Sequence, residues 1–570
     1  MKIGIAQLNL KIGDLSRNAD KVIEKIRELN SKGSELIVLP EMAITGYYPW
    51  DLLDQPGFVS KQIDELNRIV ATTTELNAVV AIGCVTMNEN PGKAFRNSAV
   101  LIQHGSIIAQ AHKQLLPTYN IFDERRHFEP GTETLVYEIQ GKKVAFLVCE
   151  DAWNDAGTEY ATNPIEQAVA KNAEIIVTLN ASPWQTDKHL VRLEMFKTVS
   201  ERHSIPMLYV NQVGAHDEII YDGASFAYSP TSKQTWTGPF AQEKTAILSF
   251  ESGQFTSHDS YSWPKDQSEQ QLVLIQTGLR DYITKCGFSK VVVGCSGGID
   301  SAVTLALAKL ALGAENVTAI TMPSKYSSQG SVDDSVKLCE NLGIKLYTLP
   351  IKDAFNSQVS GYLGCFGHAP SRLAIENTQA RLRGLALMTY SNDTGALLLT
   401  TGNKSEVSVG YCTLYGDMNG GLNLIGDLYK TEVFSLARKI NKIHGELVPV
   451  QILNKPPSAE LFDDQKDSDS LPPYDLLDAI LRLYLERDLL SKTEIETAWA
   501  TINQHKASEQ LIEKIMGMVD KAEFKRWQSC PILRMHARAF GSGRRYPIAQ
   551  GFRPTHQMLS QLKASLAPAK

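Results

Sequence analysis

Short apolar runs separated by longer amphipathic stretches extend over residues 1 to about 250. The run KIGIAQLNL alternates apolar and polar residues and predicts a strand. The stretch ADKVIEKIRELNSKG has the spacing of a helix that ends at Gly33, and ELIVLP predicts a second, buried strand. Further strands are predicted at KKVAFLVCED, AEIIVTLNAS and PMLYVNQVG. This order indicates βαβ units and a layered α/β domain.

The pattern changes between residues 251 and 270. This segment is polar, contains one Pro and has no apolar period, so we expect a linker. Behind it, residues 271–570 alternate apolar runs with helical stretches. The apolar runs are KVVVGC, NVTAITMPS, IKLYTLPI and GALLLTTGN. Strands separated by helices predict a second α/β domain with a doubly wound parallel sheet.

Length and composition agree with two folded domains. The chain has 570 residues, and domains average about 150 residues. Hydrophobic residues make up 43% and charged residues 21%, which excludes wholesale disorder. The net charge of -6 is spread without long single-sign blocks. We therefore expect no nucleic-acid partner.

The cysteines indicate a reducing compartment. The chain has eight scattered cysteines and no CxxC pair, which is typical of reduced thiols. The N-terminus lacks the apolar core and the cleavage site of a signal peptide. No window is long and apolar enough for a membrane span. We expect a cytoplasmic protein without a membrane partner.

A candidate phosphate-binding loop follows the strand KVVVGC and leads into the helix AVTLALAKLAL. The loop comprises Gly294, Cys295, Ser296, Gly297, Gly298, Ile299, Asp300 and Ser301. The glycines permit close backbone approach, the serines supply hydroxyls, and the start of the helix attracts an anion. The alternative is an ordinary Gly-rich turn that Ser and Asp cap.

The loop resembles the SGGxDS loop of ATP pyrophosphatases, which holds the β and γ phosphates of ATP. It is not the GxxxxGK[ST] loop of other nucleotide hydrolases, because it has no Lys and is shorter. Asp300 suits a Mg²⁺ ligand, since Mg²⁺ prefers carboxylate oxygen.

Later segments resemble the synthetase domain of NAD synthetases. They are TTGNKSE, GYCTLYGDMNGG, LIGDLYKTEV, NKPPSAEL and ENTQARLRGLALMTYSN (376–392). The resemblance implies an adenine nucleotide alpha hydrolase-like fold, with Glu406 beside Asp300 at Mg²⁺. It places Thr401 and Lys430 near ATP, and Asn377, Glu406 and Asp417 at deamido-NAD. The alternative for Glu406 or Asp417 taken alone is a solvated loop acid.

The basic and aromatic C-terminal stretch contains FKR and RAFGSGRRYPI. A similar arm closes over the substrate in glutamine-dependent NAD synthetases, and by this resemblance Lys525 is a contact for deamido-NAD. The alternative is a solvated run of charges.

Three chemically useful residues in the first half follow predicted strands: Glu41, Lys113 and Cys149. Side chains at strand ends can converge over a rigid sheet. A carboxylate can take the thiol proton, the thiolate can attack an amide carbon, and an ammonium can stabilise the oxyanion. The alternative for Cys149 alone is a buried apolar residue.

The segments VLPEMAITGYYPWD, AHKQLLP and VCEDAWN resemble the Glu, Lys and Cys segments of the nitrilase superfamily. This resemblance implies an αββα sandwich in residues 1–250 that releases ammonia from glutamine. It also implies that Tyr119, Ser182 and Lys188 line a glutamine pocket.

The two resemblances together imply ATP-dependent amidation of deamido-NAD to NAD through an acyl adenylate, with ATP and Mg²⁺ as cofactors and glutamine as the nitrogen source. They also imply a homo-oligomer, at least a dimer. Two alternatives stay open: another glutamine amidotransferase of the ATP-pyrophosphatase class, and a non-catalytic sensor of glutamine and nucleotide.

Overall fold

The computed structural model describes residues 1–564 except 258, 459, 463–465 and 554. It divides into two compact units, Met1–Lys265 (unit 1) and Asp266–Lys570 (unit 2). Within the described part of the chain, no helix is both long and apolar enough to cross a membrane.

Unit 1 alternates strands and helices. Its elements are β1 (Lys2–Gln7), α1 (Leu15–Ser31), β2 (Leu36–Val38), α2 (Phe58–Thr72), β3 (Val79–Met87), β4 (Phe95–Gln103), β5 (Ser106–His112), β6 (Leu135–Ile139), β7 (Lys142–Val148), α3 (Pro164–Ala170), β8 (Ile175–Asn180), α4 (Lys188–His203), β9 (Met207–Asn211), β10 (Val213–His216), β11 (Ile219–Asp222), β12 (Phe226–Ser229), β13 (Gln234–Thr237), β14 (Lys244–Glu251) and β15 (Gln254–Thr256). The helix that the sequence predicts before Gly33 is confirmed as α1, although it begins earlier, at Leu15.

Two large sheets form the centre of unit 1. The seven-stranded sheet has the order β15-β14-β1-β2-β3-β4-β5, and the six-stranded sheet has the order β13-β12-β9-β8-β7-β6. Apolar side chains of both sheets share one core, for example Val38 of β2 with Val148 of β7. Since successive side chains of a strand point to opposite faces, Ile37 packs on the other side with α1 and α2.

Helices α3 and α4 cover the outer face of the six-stranded sheet in the same way. Unit 1 is therefore a four-layer αββα sandwich, which confirms the expected nitrilase-like fold.

Regular structure occupies both ends of the segment 251–270, where the sequence predicts a linker, and the boundary between the two units lies inside this segment, after Lys265. Strand β15 pairs with β14 through a tight turn at Ser252 and Gly253, whose φ angles are 50° and 76°. Phe255 is buried against Phe250. The other end already belongs to a helix that begins at Gln267. The polar composition gave no sign of this hairpin, whose second strand packs into the core through Phe255.

Unit 2 continues the alternation of strands and helices. Its elements are α5 (Gln267–Lys285), β16 (Val291–Gly294), α6 (Ile299–Leu312), β17 (Val317–Thr321), α7 (Gln329–Leu342), β18 (Lys345–Thr348), α8 (Lys352–Phe366), α9 (Arg372–Thr394), β19 (Leu397–Thr400), α10 (Lys404–Val409), β20 (Leu422–Asn423), α11 (Lys430–His444), α12 (Val450–Asn454), α13 (Tyr474–Leu485), α14 (Lys492–Gln504), α15 (Glu509–Lys521), α16 (Glu523–Arg526) and α17 (His556–Ala564).

The sheet of unit 2 has five parallel strands in the order β18-β17-β16-β19-β20. Val292 of β16 packs with Leu382 and Leu387 of α9 on one face. The neighbouring side chains of β16 point to the opposite face, where α6 returns along the sheet. The predicted doubly wound parallel sheet is confirmed.

The C-terminal arm packs beside the last strand. Asn423 forms a parallel bridge with Ile532, and the backbone N–H groups of Met535 and His536 donate to Asp427 Oδ2 at 2.7 Å each. The arm thus extends the sheet edge next to the carboxyl ends of the strands, which is where ligands bind in open α/β sheets.

Candidate active sites

Cys149 is the first residue after β7 and opens a 3-10 turn, Cys149–Ala152. Its φ of 45° lies in the left-handed region, which non-glycine residues seldom adopt, and it is only 6% exposed. The carboxylate of Asp151 supports the turn, because it accepts hydrogen bonds from the N–H groups of Gln114, Leu115 and Val148. The nucleophile candidate is therefore held in a strained, well-supported position.

Lys113 lies between two carboxylates in the interior of unit 1. Its Nζ donates to Glu41 Oε1 at 2.9 Å and to Glu124 Oε1 at 2.6 Å. All three side chains are fully enclosed. Burial opposes the charge of Lys113, but Glu124 and Glu41 outweigh it and hold its pKa well above the ordinary value. Lys113 is therefore a permanent ammonium.

Glu41 is held by hydrogen bonds at both oxygens. Its Oε2 accepts from the N–H of Ala181 at 2.9 Å, and its Oε1 also accepts from Asn97 Nδ2 at 2.7 Å. Burial, followed by repulsion from Glu41, raises the pKa of the Cys149 thiol well above its ordinary value. Cys149 is thus a neutral thiol that needs a base, and Glu41 is close enough to perturb it.

Glu124 was missed in the sequence. It stands in FDERRHFEP, which looks like an exposed charge run. The 3-10 turn Glu124–Arg126 directs Glu124 inwards and exposes Arg125 and Arg126. Burial raises the pKa of Glu124, and the opposing charge of Lys113 lowers it less. No local sequence signal separates this acid from its exposed neighbours.

Two of the three predicted glutamine-pocket residues, Tyr119 and Lys188, contact residues at or next to the Cys149 turn. Tyr119 is half-exposed, and its hydroxyl donates to both oxygens of Glu150 at 3.1 Å. Lys188, at the start of α4, has its Nζ 3.8 Å from the centre of the Trp153 ring. Ser182 is buried and directly follows Ala181, the residue that donates to Glu41.

The predicted phosphate loop connects β16 to α6. Gly297 has a φ of 74°, and a Cβ there would lie 2.3 Å from the carbonyl oxygen of Ser331, so only glycine fits. Ser296 and Ser301 hydroxyl oxygens lie 3.1 Å apart, and Ser301 also donates to the Gly298 carbonyl at 3.0 Å. The loop presents the N-terminus of a 14-residue helix to the adjacent cavity.

A cavity of about 300 Å³ opens beside this loop. Its wall includes the predicted residues Thr401, Glu406, Asp417 and Lys430. Burial raises the pKa of Asp417 to about 6. The cavity therefore combines a helix N-terminus with charged groups of both signs, as a nucleotide site requires.

Two predicted deamido-NAD residues support the cavity wall from behind. Asn377 Oδ1 accepts from Thr413 Oγ1 at 2.7 Å, and Thr413 N–H in turn donates to Asp417. Lys525 Nζ donates to the carbonyl oxygens of Gly410 and Cys412 at 2.8 and 2.7 Å. Both hold the segment 410–417, and neither lines the cavity itself.

Lys430 connects the two predicted metal ligands. Its Nζ donates to Asp300 Oδ2 at 2.6 Å and to Glu406 Oε1 at 2.9 Å. Burial, with repulsion from Asp300, raises the pKa of Glu406 to about 7. Tyr474 donates to Glu406 at 3.3 Å and to Asp467 at 2.8 Å. Two carboxylates from different elements thus meet at the Lys430 ammonium, and carboxylate oxygens are also the ligands that Mg²⁺ prefers.

The cavity wall also contains two basic residues that the sequence did not predict, Arg383 and Lys455. Burial lowers the pKa of Arg383 to about 10, and its Nε donates to the Met322 carbonyl at 3.0 Å. Lys455 donates to Ser331 Oγ and contacts Asp334. Lys455 stands in the segment NKPPSAEL, which resembles that of NAD synthetases, so the sequence contained a signal for this residue.

Two family models match the chain. The carbon-nitrogen hydrolase model matches residues 2–253, and the NAD synthase model matches residues 271–529. A "Glutamine-dependent NAD(+) synthetase" from Synechocystis sp. is 42% identical over 97% of this chain and 99% of its own length. Another protein of that name, from Acinetobacter baylyi, is 38% identical over 97% and 99%.

Among solved structures, the glutamine-dependent NAD+ synthetase of Acinetobacter baumannii in complex with ADP is 35% identical with a TM-score of 0.75. The alignment covers 96% of this chain and 98% of that one. A further structure, from Cytophaga hutchinsonii, shares the fold with a TM-score of 0.78 at 20% identity.

Proposed function

The chain belongs to the family of glutamine-dependent NAD(+) synthetases, and from this premise we propose that each unit carries out one half of the reaction. Unit 1 hydrolyses glutamine to glutamate and ammonia. Unit 2 uses ATP and the ammonia to convert deamido-NAD to NAD. This division rests on one observation: the chain contains two separate sets of reactive residues. Cys149 stands with Glu41 and Lys113 in unit 1, and the phosphate loop stands with Lys430 in unit 2.

In unit 1, Glu41 takes the thiol proton as Cys149 Sγ attacks the amide carbon of glutamine. The Lys113 ammonium donates to the oxyanion that forms. Glu41 then gives the proton to the leaving nitrogen, and ammonia departs. Water, deprotonated by Glu41, cleaves the thioester, releases glutamate and restores the thiol.

Glutamine is bound beside the Cys149 turn by Tyr119, Ser182 and Lys188. The Lys188 ammonium pairs with the α-carboxylate of glutamine. Its contact with Trp153, the residue that ends the turn, keeps this charge next to the nucleophile.

In unit 2, the nicotinate carboxylate of deamido-NAD attacks the α-phosphorus of ATP, and pyrophosphate leaves. Ammonia then attacks the acyl carbon of the adenylate and displaces AMP, which forms the amide of NAD. The loop from Gly294 to Ser301 binds the departing pyrophosphate through its N–H groups and hydroxyls. Thr401 and Lys430, which line the same cavity, contact ATP.

Asp300 and Glu406 would hold Mg²⁺, because both are carboxylates on the wall of the cavity beside the phosphate loop. When bound there, the metal ion supplies positive charge next to the phosphate oxygens. Glu406 and Asp417 contact deamido-NAD, and Asn377 and Lys525 act on the same site by holding the segment 410–417.

One assay tests both halves. The full chain is incubated with ATP, Mg²⁺ and deamido-NAD, with either glutamine or ammonium as the nitrogen source, and NAD and AMP are measured. We expect NAD and AMP in equal amounts with both sources. The absence of both products under both conditions would contradict the proposal and leave a non-catalytic sensor.

The chain forms a homo-oligomer through unit 2, and the occupant of the contact surface is a second copy. Helix α9 has 23 residues, of which only three are buried, and Leu373 and Leu385 on it are 66% and 63% exposed. On α8, Leu363 and Phe366 are 48% and 60% exposed. Exposed apolar side chains on these two helices, which contact each other, suit a contact with a second copy.

Size-exclusion chromatography with light scattering should give the molar mass of at least a dimer. The variant Leu385→Ser should lower this mass towards that of the monomer. The matched control is Leu190→Ser, because Leu190 lies on α4 of unit 1 and is 50% exposed. This variant should leave the oligomeric state unchanged. A wild-type monomer would overturn the oligomer.

The eight free cysteines, all among the described residues, support a reducing, cytoplasmic location.

A further inference from the structure

A histidine and two aspartates meet at the surface of unit 1, outside the residues that the glutaminase chemistry uses. Asp51 and Asp54 lie in the 3-10 helix Trp50–Asp54, in which side chains three residues apart share one face. His127 directly follows the 3-10 turn Glu124–Arg126. Its Nε2 lies 3.4 Å from Asp51 Oδ1 and 3.4 Å from Asp54 Oδ2.

The imidazole of His127 is buried but incompletely satisfied. His127 is only 5% exposed, and its Nδ1 lies 2.5 Å from the Tyr48 hydroxyl oxygen. Its Nε2 has no hydrogen-bond partner among the described residues, although two carboxylates lie nearby. A protonated imidazole in this place would donate from Nε2 to one of them. A buried polar atom of this kind calls for a further binding partner.

We propose that Asp51, Asp54 and His127 bind one divalent transition-metal ion of the Zn²⁺ or Co²⁺ type. A tetrahedral site with bonds of about 2.0 to 2.1 Å has neighbouring ligand atoms about 3.3 to 3.4 Å apart. The two distances from His127 Nε2 agree with this spacing, and all three ligand atoms lie within 4.8 Å of one another. Water completes the coordination.

The surroundings of His127 suit a metal ligand. When Nδ1–H donates to the Tyr48 hydroxyl, the lone pair of Nε2 points to the carboxylates, and this second contact sets both the tautomer and the ring orientation. Zn²⁺ accepts both imidazole nitrogen and carboxylate oxygen as ligands, whereas Mg²⁺ prefers oxygen alone, so the imidazole favours a transition-metal ion.

Arg126 competes with the metal ion for the carboxylate of Asp51. Its Nε and Nη2 donate to Asp51 Oδ1 and Oδ2 at 2.9 Å each. A carboxylate oxygen has two lone pairs, so Asp51 Oδ1 can accept from Arg126 and bind a metal ion at once. With two carboxylates against one guanidinium, the cluster keeps a net negative charge and still attracts a cation.

The bound ion would join two loops. One is the 3-10 helix Trp50–Asp54, and the other begins with Glu124, the partner of Lys113. Because the ion binds only when both loops are folded, it should raise the thermal midpoint of the protein. This inference does not depend on the proposed reaction.

The test is a titration of the chelator-treated full chain with Co²⁺ in excess Mg²⁺, which occupies oxygen-only sites. We expect one equivalent to bind with a visible d–d band, no near-ultraviolet sulfur-to-metal band, and a higher thermal midpoint. His127→Gln and Asp54→Asn should each weaken binding by at least about 10-fold. Asp54 is 62% exposed, so its variant should fold normally.

Asp20→Asn is the matched control. Asp20 is 63% exposed and pairs with Arg68, as Asp51 pairs with Arg126, but no histidine among the described residues completes a cluster with it. This variant should bind Co²⁺ like the wild type. Three results would overturn the site: no binding of one equivalent, binding that His127→Gln leaves unchanged, or a spectrum with sulfur ligation only.

Discussion

In unit 1 the ammonium of Lys113 lies between Glu41 and Glu124, and all three side chains have no exposure. In unit 2 the ammonium of Lys430 lies between Asp300 and Glu406 in a similar arrangement, but these carboxylates keep 19% and 15% of their surface at a cavity wall.

The difference corresponds to the two kinds of chemistry. Amide cleavage needs a proton to move between preset groups, and a closed, low-dielectric site strengthens every charge in it. Adenylation needs room for two large nucleotides and exchange of charge with their phosphates. One cluster is therefore part of the protein interior, whereas the other is open to a ligand.

Cys149→Ala should have the largest effect, because it should inactivate the chemistry of unit 1 and leave that of unit 2 intact. It removes the thiol whose pKa Glu41 and Lys113 shift, so glutamine-supported NAD formation should be abolished while ammonium-supported formation survives. Steady-state NAD formation with each nitrogen source is the measurement. Equal loss with both sources, in folded protein, would mean that Cys149 supports structure alone.

Lys113→Met should lower the glutaminase rate by about 100- to 1000-fold, since it removes one preorganised charge partner of the oxyanion. It should also destabilise the protein by up to about 3 to 5 kcal/mol, because two buried carboxylates lose their shared cation. Glutamate release and thermal unfolding are the measurements.

The double change Lys113→Met with Glu124→Gln separates the two effects, because it removes the excess buried charge without restoring the ammonium. Stability should recover and activity should not. Lys142→Met, which breaks a surface pair with Glu174, is the control and should change neither. Glutaminase within about threefold of wild type would remove Lys113 from the mechanism.

Asp300→Asn should reduce the synthetase rate by roughly 100-fold, with ammonium as the nitrogen source. Asn keeps the size of Asp and can still accept from Asn403 Nδ2, but it removes one of the two charges that pair with Lys430, so we expect a lower thermal midpoint with the fold retained. Glutaminase, measured on the same preparation, should stay intact. An unchanged synthetase rate at limiting Mg²⁺ would show that the open cluster is only a capped turn.

Lys188→Met should have the smallest effect, roughly a tenfold rise in KM for glutamine with kcat unchanged, because it removes a binding charge and no reacting group. Lys197 lies on the same helix and forms a surface salt bridge with Glu194, which Lys197→Met removes. It serves as the control. A fall in kcat without a change in KM would assign Lys188 to the chemistry instead.

Much of the fold followed from local patterns. The parallel strands of unit 2 and the strand ends that carry Lys113 and Cys149 could be predicted, because apolar runs and turn residues act over short distances. The hairpin of β14 and β15 could not, since Ser252 and Gly253 stand in a polar segment and only Phe255 packs inwards.

The sequence by itself determined which chemical groups are present and in what order: a thiol, an ammonium and a carboxylate after strands of unit 1, and a Gly-rich loop before a helix in unit 2. The tertiary structure decided which charges are enclosed together. Glu124 and Lys430 reach their partners across 11 to 130 residues of chain. Their surroundings follow from how distant elements pack, since burial and charge pairing are properties of the folded chain and not of any local segment.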